Sequence, residues 1–139
     1  MSTPAPSVDS VATHPYLSNT VLGSPDPPRL AEFYRALLGW VYRDEDHASD
    51  DTWVVIKPPE GGTGLSFQLE TEHEPPTWPT RAGTQQMQLH LDLGVTELEP
   101  AVARAEELGA RPAQWQPQED VRVLHDPDGH VFCLFAPGA

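Results

Sequence analysis

Two helix-like segments of this chain end on the same dipeptide, Leu38-Gly39 and Leu108-Gly109, 70 positions apart in 139 residues. Each follows a strand-like stretch and precedes three more. A repeat of that period makes the chain one domain of two similar βαβββ halves. In the first half, residues 16–22 mix β-branched, aromatic and apolar side chains and read as a strand. The segment SPDPP then stops that strand and starts a helix over 27–38. Asp26 can cap it, and Pro27 suits the first helical position, where an N–H has no partner. Leu30, Phe33, Tyr34, Leu37 and Leu38 recur at helical spacing and form one apolar face. Gly39 is its stop, since glycine tolerates the left-handed cap. Strands are expected at 40–43, 53–57 and 65–70, separated by DEDHASDD and PPEGGTG.

The second half repeats the order. QMQLHLDL, residues 86–93, alternates strictly. Met87, Leu89, Leu91 and Leu93 are expected to face a helix layer, with Gln86, Gln88, His90 and Asp92 on the other side. A helix over 98–108 follows, with Leu98, Val102, Ala105 and Leu108 on one face. Two starts fit: a capping box of Thr96 and Glu99, or Glu99 as cap with Pro100 first. Strands at 112–116, 121–125 and 131–135 complete the half, the last two joined by DPDG. The organisation is then a disordered arm (1–15), a first module (16–70), a Pro-rich linker (71–84) and a second module (85–139).

Polar residues in register on one strand face mean either open solvent or a wet pocket. The stretch 65–69 divides in the same way, with Leu65, Phe67 and Leu69 opposite Ser66 and Gln68. Both readings stand: two ordinary solvated sheets, or two polar faces lining one cleft. Eight basic residues against 21 acidic ones give a net charge of -13. That balance argues against nucleic-acid or anionic-membrane partners, because both need positive charge. No apolar run approaches the ~18 residues of a membrane span. With Cys133 as the single cysteine and no signal-like N-terminus, a cytoplasmic location is expected.

The segments SPDPPRLAEFYRALLGW, GLSFQLE, QMQLHLDLGV and VLHDPDGHVFCLF together resemble the vicinal oxygen chelate superfamily (glyoxalase/bleomycin-resistance/dioxygenase), in particular a glyoxalase-like subgroup. The resemblance spans residues 16–135. It implies an α+β fold of two βαβββ modules forming an open, barrel-like mixed sheet around a cleft, and a homodimer. It also implies metal-ligand positions on the first and last strand of each module, here Asn19 (or Ser18), Gln68, His90 and Cys133. That set holds one imidazole and no carboxylate, and carboxamides are feeble ligands. His90 and Cys133, on strands far apart in sequence, make a poor pair. Neither metal nor cofactor is therefore expected.

The ligand-binding set read from the chain is Asn19, Trp53, Gln68, Gln88, His90, Asp92 and Cys133, with His90 as the catalytic candidate. Asp92 is expected too far from His90 for an easy hydrogen bond, since they are two residues apart on a strand. Cys133 reads first as a small buried hydrophobe. His125 and His130 flank a turn and need no function. Trp53, Trp78 and Trp115 suit packing or stacking on an aromatic ligand. No Gly-rich phosphate loop or serine elbow is visible. The expected function is small-molecule binding in the cleft. The alternative is a lyase, isomerase or dioxygenase using His90 as acid/base or metal ligand.

Overall fold

The computed structural model describes residues 14–137. The expected arm over 1–15 therefore falls, for residues 1–13, outside the described residues. Two compact units divide the chain at Thr71 and Glu72.

In the first unit the order is β1 (Asn19–Ser24), α1 (Pro27–Leu38), β2 (Val41–Tyr42), β3 (Trp53–Lys57) and β4 (Gly64–Leu69). The sheet runs β1-β4-β3-β2, with β1 parallel to β4 and the other pairs antiparallel. α1 begins as its sequence dictates: Asp26 accepts a hydrogen bond from the Arg29 amide at 3.4 Å, and Pro27 and Pro28 open the first turn. It ends on Gly39 at φ 69°, the left-handed cap. Its apolar stripe buries Leu30, Ala31, Phe33 and Tyr34 against Leu22, Val54, Ile56, Leu65 and Phe67. Tyr34 stacks on Phe67 with ring centroids 5.8 Å apart. Leu37 and Leu38 are only half-buried, so the stripe fades in the last turn.

The second unit repeats this order with β5 (Leu91–Gly94), α2 (Leu98–Leu108), β6 (Arg111–Pro112), β7 (Val121–His125) and β8 (Val131–Phe135). Its sheet runs β5-β8-β7-β6, again with the first and last strands parallel. Both expected βαβββ modules are present, and the fold is α+β with two four-stranded mixed sheets. α2 starts from neither expected cap. Glu97 is the N-cap, which puts Pro100 at the third helical position. An amide there has no intrahelical partner, so the proline removes nothing.

β1 starts at Asn19 where residue 16 was expected and runs on to Ser24, and three later strands are shorter than expected. The stretch 86–93 forms a strand only from Leu91, because β5 is an edge strand and its one neighbour, β8, begins at Val131. Residues 86–90 have no ladder to join. Met87 consequently packs against Ala113, Val123 and Val131 on the face away from α2, and Leu89 is 56 % exposed. The strand expected at 112–116 closes at Pro112. Beyond it, the Gln116 side chain takes over the pairing: its amide donates to the Ala113 and Val123 carbonyls and accepts from the Val123 amide, at 2.8–2.9 Å. The strand expected at 40–43 keeps only Val41 and Tyr42.

The Pro-rich segment after residue 71 is ordered on the second unit. His73 Nε2 bonds the Asp128 carbonyl at 2.9 Å, and the Trp78 indole donates to the Trp115 carbonyl at 3.3 Å. Trp78 joins Met87 on the Ala113, Val123 and Val131 cluster. Asp126, fully buried, organises the DPDG turn: one carboxylate oxygen accepts from the Asp128 and His130 amides, and the other meets His130 Nδ1 at 2.8 Å. His130 is therefore part of the turn, and His73 stacks on it at 4.6 Å.

Candidate functional site

The parallel pairing of β5 with β8 sets Asp92 opposite Cys133. In a parallel ladder such partners point to the same face, and here Leu91 and Phe132 take the side packed by α2. Asp92 and Cys133 take the other side. His90, two residues before Asp92, shares that face. His90 Nε2 lies 3.1 Å from Asp92 Oδ1. The distance expected to prevent this contact, about 6.7 Å of strand rise over two residues, is bridged because His90 stands just before the ladder begins and its imidazole leans along the chain.

Cys133 is the third member. Its ligating sulfur and the donor atoms of His90 and Asp92 all lie within 4.8 Å of one another. Burial raises the Cys133 thiol above its ordinary pKa, and the negative, hydrogen-bonding carboxylate of Asp92 raises it further. The thiol thus stays protonated in the free chain and is no ready nucleophile. One flank of the site is the apolar cluster of Val123 and Val131, with Trp78 and Met87 against it. The other flank is open, with the His90 and Asp92 side chains 38 % and 62 % exposed.

Gln88 is exposed and precedes β5. In the first unit Trp53 and Gln68 are cross-strand partners, both exposed. Trp53 lines a groove of about 330 Å³ together with Arg43, Asp44, Asp46, His47 and Asp50. Asn19 pairs with Gly64 at one end of the β1–β4 ladder, whereas Gln68 pairs with Gly23 near the other. The two carboxamides are therefore four ladder positions apart and do not converge. The four-residue ligand set implied by the resemblance does not fit, and no chemistry is routed through it.

Asp92 belongs to the expected ligand-binding set, but its contact with His90 was not expected. Trp78, expected to pack or to stack on a ligand, and Met87, expected on the opposite face, stand beside Cys133 through long-range packing. Ser66 was read only as a polar-face residue. It is fully buried and its hydroxyl has no hydrogen-bond partner among the described residues, as is also true of Asn19 Oδ1.

Paired βαβββ units, each with its first and last strands parallel and adjacent, define the vicinal oxygen chelate class. The chain belongs to the glyoxalase-like domain family, whose model matches residues 19–135. Solved structures agree in fold. A glyoxalase/bleomycin resistance protein/dioxygenase family enzyme from Burkholderia phytofirmans PsJN is 14 % identical, with a TM-score of 0.61 over 84 % of this chain and 94 % of its own. A glyoxalase/dioxygenase from Nostoc punctiforme is 21 % identical, with a TM-score of 0.61 over 95 % and 97 %. A possible glyoxalase from Bacillus cereus is 14 % identical, with a TM-score of 0.60 over 87 % and 98 %. No curated protein matches the chain.

Proposed function

We propose that this chain is a small-molecule-binding member of the glyoxalase-like family, its ligand held on the second unit's polar sheet face at His90, Asp92 and Cys133. The convergence of those three side chains beside an apolar wall carries the reading. A binding site combines a few placed polar groups with apolar surface, and this face has both. The net charge of -13 favours a cationic or aromatic-cationic ligand. Bleomycin resistance stands in the family name of the Burkholderia phytofirmans protein of the same fold. A homodimer in the cytoplasm is part of the proposal. Among the described residues no helix is long and apolar enough to cross a membrane.

The second reading is catalytic, a lyase, isomerase or dioxygenase with His90 as acid/base. One observation favours it. Asp92 at 3.1 Å holds the imidazole by Nε2 and leaves Nδ1 to a substrate, the arrangement by which a carboxylate orients a general base. A thermal-shift screen of organic cations, small carbonyl compounds, thiol adducts and catechols tests both. A ligand at ~100 times its Kd stabilises the chain by about 2.7 kcal/mol. Binding that His90→Ala weakens, with no product formed, supports the binder. Turnover that falls ~10²–10⁴-fold in His90→Ala supports the enzyme instead. Binding untouched by His90→Ala and Asp92→Asn removes the site from both.

A further inference from the structure

We propose that residues 72–85 are a strap across the sheet face that carries Asp92 and Cys133, and that local release of this strap controls access to that face. That the face binds a small molecule rests on the reading above, whereas the strap and its test use no ligand.

Side chains hold the segment, since it contains no strand or helix and none of residues 71–90 is buried. The first fastening is His73. Its Nε2 donates to the Asp128 carbonyl at 2.9 Å, and its ring stacks on His130 with centroids 4.6 Å apart. The anchor beneath it is fixed, because the buried Asp126 carboxylate meets His130 at both Nδ1 and the backbone amide. Pro75 then passes so close to Gly129 that a methyl group on that glycine would stand 2.6 Å from the proline Cβ. The second fastening is Trp78. Its indole donates to the Trp115 carbonyl at 3.3 Å, and the two rings lie 5.4 Å apart. The Thr77 amide donates to the Gln85 carbonyl at 2.9 Å and closes the segment into a loop.

Trp78 is the covering end of the strap. Val123 is the ladder partner of Cys133, and Val131 lies two residues before Cys133 on β8, so all three share one face. Trp78 packs on the cluster that Val123 and Val131 form there, and Cys133 packs on the same cluster. Beneath the sheet, Leu124, Phe132 and Leu134 are fully buried on the α2 side. A segment with few buried contacts opens at a small fraction of the global unfolding free energy, while a core of that kind stays closed. His73 is accordingly a positioning residue, acting on access to Cys133 through the strap and Trp78.

Cys133, the chain's single thiol, reports the opening. The reduced full-length chain is reacted with dithiodipyridine, an uncharged disulfide. The Cys133 thiolate forms a mixed disulfide and releases one chromophoric thiopyridine. Amide exchange is followed in parallel by mass spectrometry. His73→Ala should speed the modification about three- to tenfold, the equilibrium effect of losing one hydrogen bond. It should also accelerate exchange across 72–85, with exchange in β7 and β8 and the urea midpoint nearly unchanged. Trp78→Ala should speed the modification as well, by removing the cover itself. Reactivity unchanged in His73→Ala overturns the proposal. So does a rise matched by equal acceleration in β7 and β8, which marks general unfolding, or a thiol no faster in Trp78→Ala.

Discussion

His90 and Leu124 lie on opposite faces of one sheet, and their substitutions should have opposite consequences. Leu124 is fully buried on the α2 side beside Phe132. Leu124→Ala should cost about 2–5 kcal/mol through lost burial and the cavity left behind. His90 is partly exposed and its partner Asp92 is mostly solvated, so His90→Ala should cost less than about 1 kcal/mol. Urea unfolding of both variants measures this, and equal losses would refute the face assignment on which the site depends. Asp126 and His130, by contrast, carry a polar network that is structural. The buried carboxylate accepts from two backbone amides and meets one imidazole, all within its own turn.

Elements in this fold are secured by side chains standing in for backbone. Gln116 is the clearest case, since its amide makes three bonds to Ala113 and Val123 where a longer β6 would have made a ladder. Gln116→Ala should destabilise the second unit by about 1–3 kcal/mol, and hydrogen exchange at the Val123 amide should accelerate. In the first unit, α1 is tied to β2 by Glu32. It receives two bonds from Arg35 and one from the Tyr42 hydroxyl, at 2.6–2.8 Å. The Arg35 hydrogen bond, assisted by Tyr42, outweighs desolvation and lowers the Glu32 pKa to about 2. Burial, with the hydrogen bond to the Glu32 carboxylate, pushes Tyr42 up to about 12 against the opposing charge of Arg35. A depressed carboxyl contributes stability that is complete above its unfolded pKa, near 4.5, and is lost as pH falls toward 2. Glu32→Gln should therefore flatten the fall in urea midpoint between pH 4.5 and pH 2. A slope unchanged from the unsubstituted chain would show that the pair contributes nothing.

For the whole molecule the governing quantity is charge. Eight basic and 21 acidic residues leave a long-range negative field that attracts cations toward the second unit's open flank and toward the Asp-rich groove beside Trp53 alike. A cationic ligand should bind more weakly as ionic strength rises from about 0.01 to 0.15 M, over which the screening length shrinks from roughly 30 to 8 Å. Isothermal titration across that range checks it. A neutral aromatic ligand should show no such slope, which separates field-assisted capture from recognition by apolar contact alone.

Local chemistry was readable from the chain wherever it acts over a few residues. The two helices are signalled by their apolar periodicity and glycine stops, and for the first also by Asp26 and Pro27. The strands at 53–57, 121–125 and 131–135 stand out by composition and turn punctuation. The repeat of these elements sufficed for the α+β, doubled βαβββ fold. What depended on partners distant in sequence was decided only by the tertiary structure. Strand length is set by the neighbour available, and so residues 86–90, fully alternating, have no ladder and Met87 turns to the other face. His90 and Cys133 were legible as candidates, but strands 40 residues apart become adjacent only when β8 inserts beside β5. That pairing makes Asp92 the link between them. Sequence spacing alone could not supply it, because side-chain distance across a parallel pair is a matter of register.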